Sequence, residues 1–98
     1  MVFEIATITV KPGSQSDFEA GVKQALELFR RAKGYRSVTL QRSIEHPDKY
    51  RLVVGWETID NHMVDFRNSP DFVAWRGLVG SFFAASPDVE HVEEVAFD

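Results

Sequence analysis

Ninety-eight residues with 44% hydrophobic side chains, among them eight Phe, two Trp and two Tyr, make a chain of one-domain size with the material for a core, which excludes a disordered segment. A chain this short buries only about 60–65% of its unfolded surface, so a lone copy would be marginal. A net charge of −4 and the absence of any apolar run near the ~18 residues of a membrane span argue against nucleic-acid and membrane partners.

Charge is also lopsided: residues 1–49 carry eight Lys/Arg against six Asp/Glu, and residues 50–98 carry three against nine. The one basic cluster, Arg30, Arg31, Lys33 and Arg36, falls at an expected helix C-terminus, where cations complement the helix dipole rather than track phosphates. The opening MVFEIATITV has neither the basic n-region nor the small-residue cleavage site of a signal peptide. There is no cysteine, so disulfides, thiolate catalysis and cysteine metal sites are excluded. A reducing, cytoplasmic location is the expectation.

Residues 2–10 are rich in β-branched side chains and predict a strand, closed by the turn Lys11-Pro12-Gly13. Ser16 with Glu19 three residues on reads as a capping box. Phe18, Val22, Ala25, Leu26 and Phe29 then form one helical stripe, with Gly34 as the expected C′ residue. Residues 35–45 alternate, with Val38, Leu40 and Ile44 on one side, and predict a second strand. His46-Pro47-Asp48-Lys49 is a tight turn with Pro47 at its second position. Residues 50–58 make a third strand. A short helix is expected from Ile59 to Arg67. Ser69 and Pro70 start another as N-cap and first helical residue, with Phe72, Trp75, Val79 and Phe82 or Phe83 on its buried face. Residues 88–97 complete a fourth strand, whose acidic end (Glu90, Glu93, Glu94, Asp98) reads as a solvated edge that discourages stray pairing.

The order β-α-β-β-α-β predicts one α+β domain over residues 1–98. It is the ferredoxin-like arrangement, a four-stranded antiparallel sheet with helices on one face. The first strand puts Phe3 and Ile5 on one side and Val2, Ala6, Ile8 and Val10 on the other. The third puts Leu52, Val54 and Trp56 opposite Val53. A sheet apolar on both faces needs a second cover, and the simplest is another copy, giving a homodimer.

That topology, together with the stretch GWETIDNHMVDFRNSPDFVAW, resembles the antibiotic biosynthesis monooxygenase family of dimeric α+β barrels. Trp56-Glu57 ending a strand, a short helix, and Ser69, Pro70 and Phe72 opening the next helix carry the resemblance. The scaffold hosts several reactions, so fold alone does not assign one. The Asn, Trp and His of the haem-degrading branch fall on Ala6, Phe66 and Arg76. The two His of many quinol-monooxygenase-like members fall on Phe66 and Asp71. Neither set is kept. The branch that hydroxylates polycyclic phenols fits better: its pocket Trp falls on Trp56, its Arg on Arg76, its Tyr on His62 and its Asn on Leu52.

This resemblance implies an enzyme without metal, flavin or other cofactor, in which an ionised hydroxyaromatic substrate itself supplies electrons to O₂. The expected catalytic residues are Arg76 beside the substrate oxyanion, His62 as proton acceptor and Trp56 against the planar substrate. Leu52, Phe66, Phe72 and Trp75 are the expected lining of a mainly apolar cavity. Each has a plainer alternative: Arg76 snorkelling to solvent, Trp56 as a core aromatic, His62 on the surface. His91 is expected at a cavity or, preferably, a dimer seam, and His46 in solvent. His62 and Asp65 alone share a helix face, too few for a structural zinc site. An isomerase-type enzyme on the same scaffold and a non-catalytic dimer that binds a small hydrophobic ligand are the other readings.

Overall fold

The structure, a computed structural model, describes residues 1–97; Asp98 of the acidic tail lies outside them. Strand β1 (Val2–Thr9) leads to helix α1 (Gln15–Arg30), strand β2 (Tyr35–Arg42), strand β3 (Lys49–Trp56), a π-helical turn (Asn61–Phe66), helix α2 (Pro70–Val79), a 3₁₀ turn (Gly80–Phe82) and strand β4 (Asp88–Val92). The sheet is antiparallel throughout, in the order β2-β3-β1-β4. This is the ferredoxin-like α+β fold expected from the element order.

The strand period of two decides what meets the helices. In β1 the buried positions are Glu4, Ala6 and Ile8, continuing to Val10; in β3 they are Tyr50, Leu52, Val54 and Trp56. Against them α1 lays Phe18, Val22, Ala25 and Phe29, and α2 lays Trp75 and Val79. Phe29 meets Phe66 and Trp75 with ring centroids 5.1 and 5.0 Å apart. Gly21 lets the helices close: a Cβ there would stand 2.9 Å from the Leu78 carbonyl oxygen. On the surface Arg31 grips Asp71 with two hydrogen bonds of 2.7 and 2.6 Å, so part of the basic cluster joins α1 to α2.

Several local expectations are corrected. Ser14, not Ser16, sits at the α1 N-cap. Glu19 turns away from that cap to accept hydrogen bonds from the Tyr50 hydroxyl and Arg42. Helix α1 ends at Arg30 with Arg31 as its cap, so Gly34 is not the C′ residue. Gly34 does adopt φ +79°, in the turn into β2. Ile44 lies past the end of β2 and is exposed. Strand β4 stops at Val92, leaving Val95 and Phe97 exposed. The turn at His46 forms as expected, Lys49 N–H donating to the His46 carbonyl at 2.8 Å. So does the α2 start: the Ser69 hydroxyl accepts from Phe72 N–H, with Pro70 in the first turn.

Candidate active site

The site grows from one position of β1. Glu4 faces inward by strand parity, although it is a carboxylate on an otherwise apolar face. Its register partners are Val54 on β3 and His91 on β4. Directly opposed side chains in an antiparallel pair share a face, and diagonal neighbours two residues on stay within reach of long side chains. Hence Trp56, two residues beyond Val54, donates its indole N–H to Glu4 Oε1 at 3.1 Å. His91 reaches the same place from β4.

The third approach is from above. The π-turn brings Asn61, His62 and Phe66 inward together. Widened turns of this kind frequently mark functional sites. Its entry is set by Asn61, whose Oδ1 accepts from the Thr58 N–H and hydroxyl at 3.1 and 3.0 Å. Asn61 fits under Gly34, where a Cβ would collide with its amide. His62 thereby lies 3% exposed, stacked on Trp56 with centroids 5.6 Å apart and planes 16° apart. Its Nε2 stands 3.3 Å from Glu4 Oε1, and its Nδ1 is hydrogen-bonded to His91 Nε2 at 2.8 Å. The Nδ1 edge of the imidazole is therefore occupied, and the Nε2 edge faces the carboxyl.

Burial dominates the electrostatics. Desolvation pushes the Glu4 carboxyl up from 4.5 to about 7, against the smaller opposing pulls of the Trp56 hydrogen bond and the Arg67 charge. Desolvation pushes His62 down from 6.5 to about 4, with His91 and Arg67 adding to the effect. Near pH 7 the histidine is neutral and the carboxyl is close to its midpoint, the condition of an acid–base group poised at neutrality.

Glu4 and His62 border a cavity of about 280 Å³ between the sheet and α2. Leu52, Phe72 and Trp75 line it, with Phe83, Arg67 and Arg76. Arg76 lies over the Phe83 ring and Arg67 over the Phe72 ring, each guanidinium carbon 5.6 Å from the centroid. Such aromatic contacts steer a cation without neutralising it. Two of the expected residues are not on the wall. Trp56 is fully buried behind Glu4, and Phe66 packs into the core between Phe29 and Phe72. His62 is buried, His91 faces the site, and His46 is exposed. The cavity is less apolar than expected because Glu4, His62, Arg67, Arg76 and Ser86 all border it. Glu4 and Arg67 were not anticipated. The signal for Glu4 was available, since it shares its parity with Ala6, Ile8 and Val10. Among the described residues, no group of three or more His, Cys, Asp or Glu is placed to hold a metal ion.

Comparison with known proteins matches the cavity-bearing scaffold to one family. Residues 1–78 match the model of the antibiotic biosynthesis monooxygenases, and the chain belongs to that family. It is 36% identical over 95 residues to the uncharacterized protein YczJ of Bacillus subtilis, covering 97% of this chain and 100% of that one. A crystal structure of a Bordetella bronchiseptica protein named for the same family superimposes with a TM-score of 0.96 at 59% identity, over 97% of both chains. A structure of SnoaB, a cofactor-independent oxygenase from Streptomyces nogalater, shares the fold with a TM-score of 0.83. Its identity is 18%, over 98% of this chain and 94% of that one.

Proposed function

We infer that this chain is a cytoplasmic, homodimeric monooxygenase that oxidises a small hydroxylated aromatic or quinol with O₂ and no cofactor. The observation that carries the reading is one cavity holding a buried acid–base pair, Glu4 and His62, together with two arginines and an aromatic wall. Loss of the substrate's O–H proton to the pair leaves an anion, which Arg76 stabilises in a site partly closed to water. The anion passes one electron to O₂, and the radical pair recombines by forming a C–O bond at a ring carbon bearing hydrogen. Loss of that hydrogen and cleavage of the O–O bond give a quinone and water. The shared fold with SnoaB, a cofactor-independent oxygenase, supports the reaction class. A cavity of about 280 Å³ is at the small end of ligand sites, which favours one or two fused rings over larger polycycles.

The dimer is supported by the sheet's other face, where Phe3, Ile5, Val53 and Val92 form an apolar strip among Thr7, Arg51 and Glu90. That face is opposite the cavity, so pairing across it leaves the mouth free. Sedimentation of the purified protein as a dimer is the expected result.

The test of the activity is oxygen uptake against a panel of quinols, naphthols and anthrones. Protein-dependent uptake is expected, with kcat/KM lowered about 100-fold in Arg76→Ala, the scale of losing one oxyanion donor. Uptake unchanged in Arg76→Ala removes the mechanism. The same acid–base pair also suits a non-oxidative isomerase, which would turn substrate over under nitrogen.

A further inference from the structure

We propose that Glu4 is the catalytic base of this cavity, and that Trp56, His62 and His91 are its positioning residues. The inference deepens the reading above and rests on it for the nature of the substrate.

The geometry separates the two candidates for the proton. His62 Nδ1 is bonded to His91, and its Nε2 stands 3.3 Å from Glu4 Oε1 without a hydrogen bond between them, so a substrate hydroxyl would have to come between the two side chains to reach it. Glu4 has a free oxygen. Its Oε1 takes the Trp56 N–H and the His62 contact. Its Oε2 has no hydrogen bond among the described residues. No buried side-chain nitrogen or oxygen is left without a partner there, so Oε2 is accessible, and Glu4 borders the cavity.

The contacts around Oε1 have one consistent proton arrangement while Glu4 is ionised. Trp56 can only donate. With the His62 proton assigned to Nε2, where it faces the Oε1 charge at 3.3 Å, Nδ1 is left bare and accepts from His91 Nε2–H. Protonating Oε2 disturbs none of these contacts, because Oε1 remains an acceptor. The carboxyl can therefore gain and lose a proton while its orientation stays locked. The other charged or titratable groups facing it are Arg67, next to the π-turn, and Arg76 on α2. The Arg67 charge favours the anion.

In the reaction Oε2 takes the proton of the substrate hydroxyl. After C–O bond formation it returns that proton to the peroxide. It then takes the ring C–H proton as the O–O bond breaks and hydroxide leaves, and delivers it to give water. Two protons leave the substrate, O₂ accepts four electrons in all (two forming the new C=O, two in water), and Glu4 ends as it began.

The first experiment uses 4-nitrophenol, whose phenolate is coloured, bound to the apoprotein. The expected result is bound phenolate accompanied by an infrared band of a protonated carboxyl that Glu4→Gln abolishes. Phenolate without that band, or no bound phenolate, overturns the proposal. The second uses oxygen uptake with a substrate from the panel. Glu4→Gln should lower kcat about 100-fold or more with KM little changed, and should remove the fall in rate on the acid side. His91→Ala should lower kcat, and His91→Gln, which keeps an N–H donor for His62, should restore most of it. Unchanged turnover in Glu4→Gln overturns the proposal while the monooxygenase reading stands. A carboxyl band that appears with no oxygen uptake on any substrate sinks the monooxygenase reading and leaves Glu4 as the base.

Discussion

Two glutamates each take a hydrogen bond from an aromatic residue on the inward face of β3, at opposite ends of that strand. Glu19 receives the Tyr50 hydroxyl at 2.6 Å, and Glu4 receives the Trp56 indole at 3.1 Å. Their surroundings differ. Glu19 also pairs with Arg42 at 3.0 Å, and its side chain is 42% exposed. Glu4 touches only a neutral tryptophan and a neutral histidine, with the Arg67 charge acting without an ion pair, and its side chain is 7% exposed. One donor does not offset the cost of burying a carboxylate; a cation or water must help. The Glu19 end is thus an ordinary surface ion pair, whereas the Glu4 end keeps a carboxyl reactive at neutral pH.

The largest expected break in this contrast is Trp56→Ala, which empties a fully buried site and should cost about 3–5 kcal/mol in denaturant melts. Trp56→Phe keeps most of the volume and should cost about 1–3 kcal/mol, the scale of stranding a buried acceptor. Because the indole bond holds the Glu4 carboxyl down, that variant should also raise its midpoint above 7, read by infrared titration.

The next effect is on stability against pH. The Glu4 midpoint is raised from 4.5 to about 7, so its favourable contribution is complete below pH 4.5 and is lost as pH rises toward 7. The His62 midpoint is lowered from 6.5 to about 4, so its contribution is complete above pH 6.5 and is lost as pH falls toward 4. Each is worth up to about 3 kcal/mol. The two slopes oppose one another between pH 4.5 and 6.5. In that window wild-type unfolding free energy should be nearly flat, Glu4→Gln should lose stability as pH falls, and His62→Gln should lose it as pH rises. Parallel curves for the two variants would refute the opposition.

The smallest effect belongs to the other end. Tyr50→Phe should cost about 1 kcal/mol or less, since Glu19 keeps Arg42 and solvent, and it should leave the titration of Glu4 unchanged.

The scaffold was legible in the sequence because strand and helix periods, Ser69-Pro70 and the turn at Pro47 are local signals. Leu52, Phe72, Trp75 and Arg76 reach the cavity because the same periods place them. Trp56 and Phe66 face inward too, but depth is not a periodic property: Glu4 and His62 cover Trp56, and Phe72 covers Phe66. His62 could not be placed from a helical pattern because the π-turn, seated under Gly34, resets which residues face inward. Glu4 was countable by parity, yet its lack of a cation within hydrogen-bond reach depends on which side chains β4 and α2 bring across the sheet. Ser16 made a better local cap signal than Ser14, and tertiary contacts of Glu19 with Tyr50 and Arg42 overrode it.

Strand β4 has five residues, pairs on one side only, and has four of its five residues exposed. A short edge of this kind opens locally at a fraction of the global unfolding free energy. His91 hangs on that strand. Each opening therefore withdraws the His91 hydrogen bond from His62 while β1, β3 and the core stay closed, and the imidazole becomes free to change tautomer. The amide hydrogens of β4 should exchange with deuterium ahead of those of β1 and β3, and their exchange free energy sets how often the site stands unlatched.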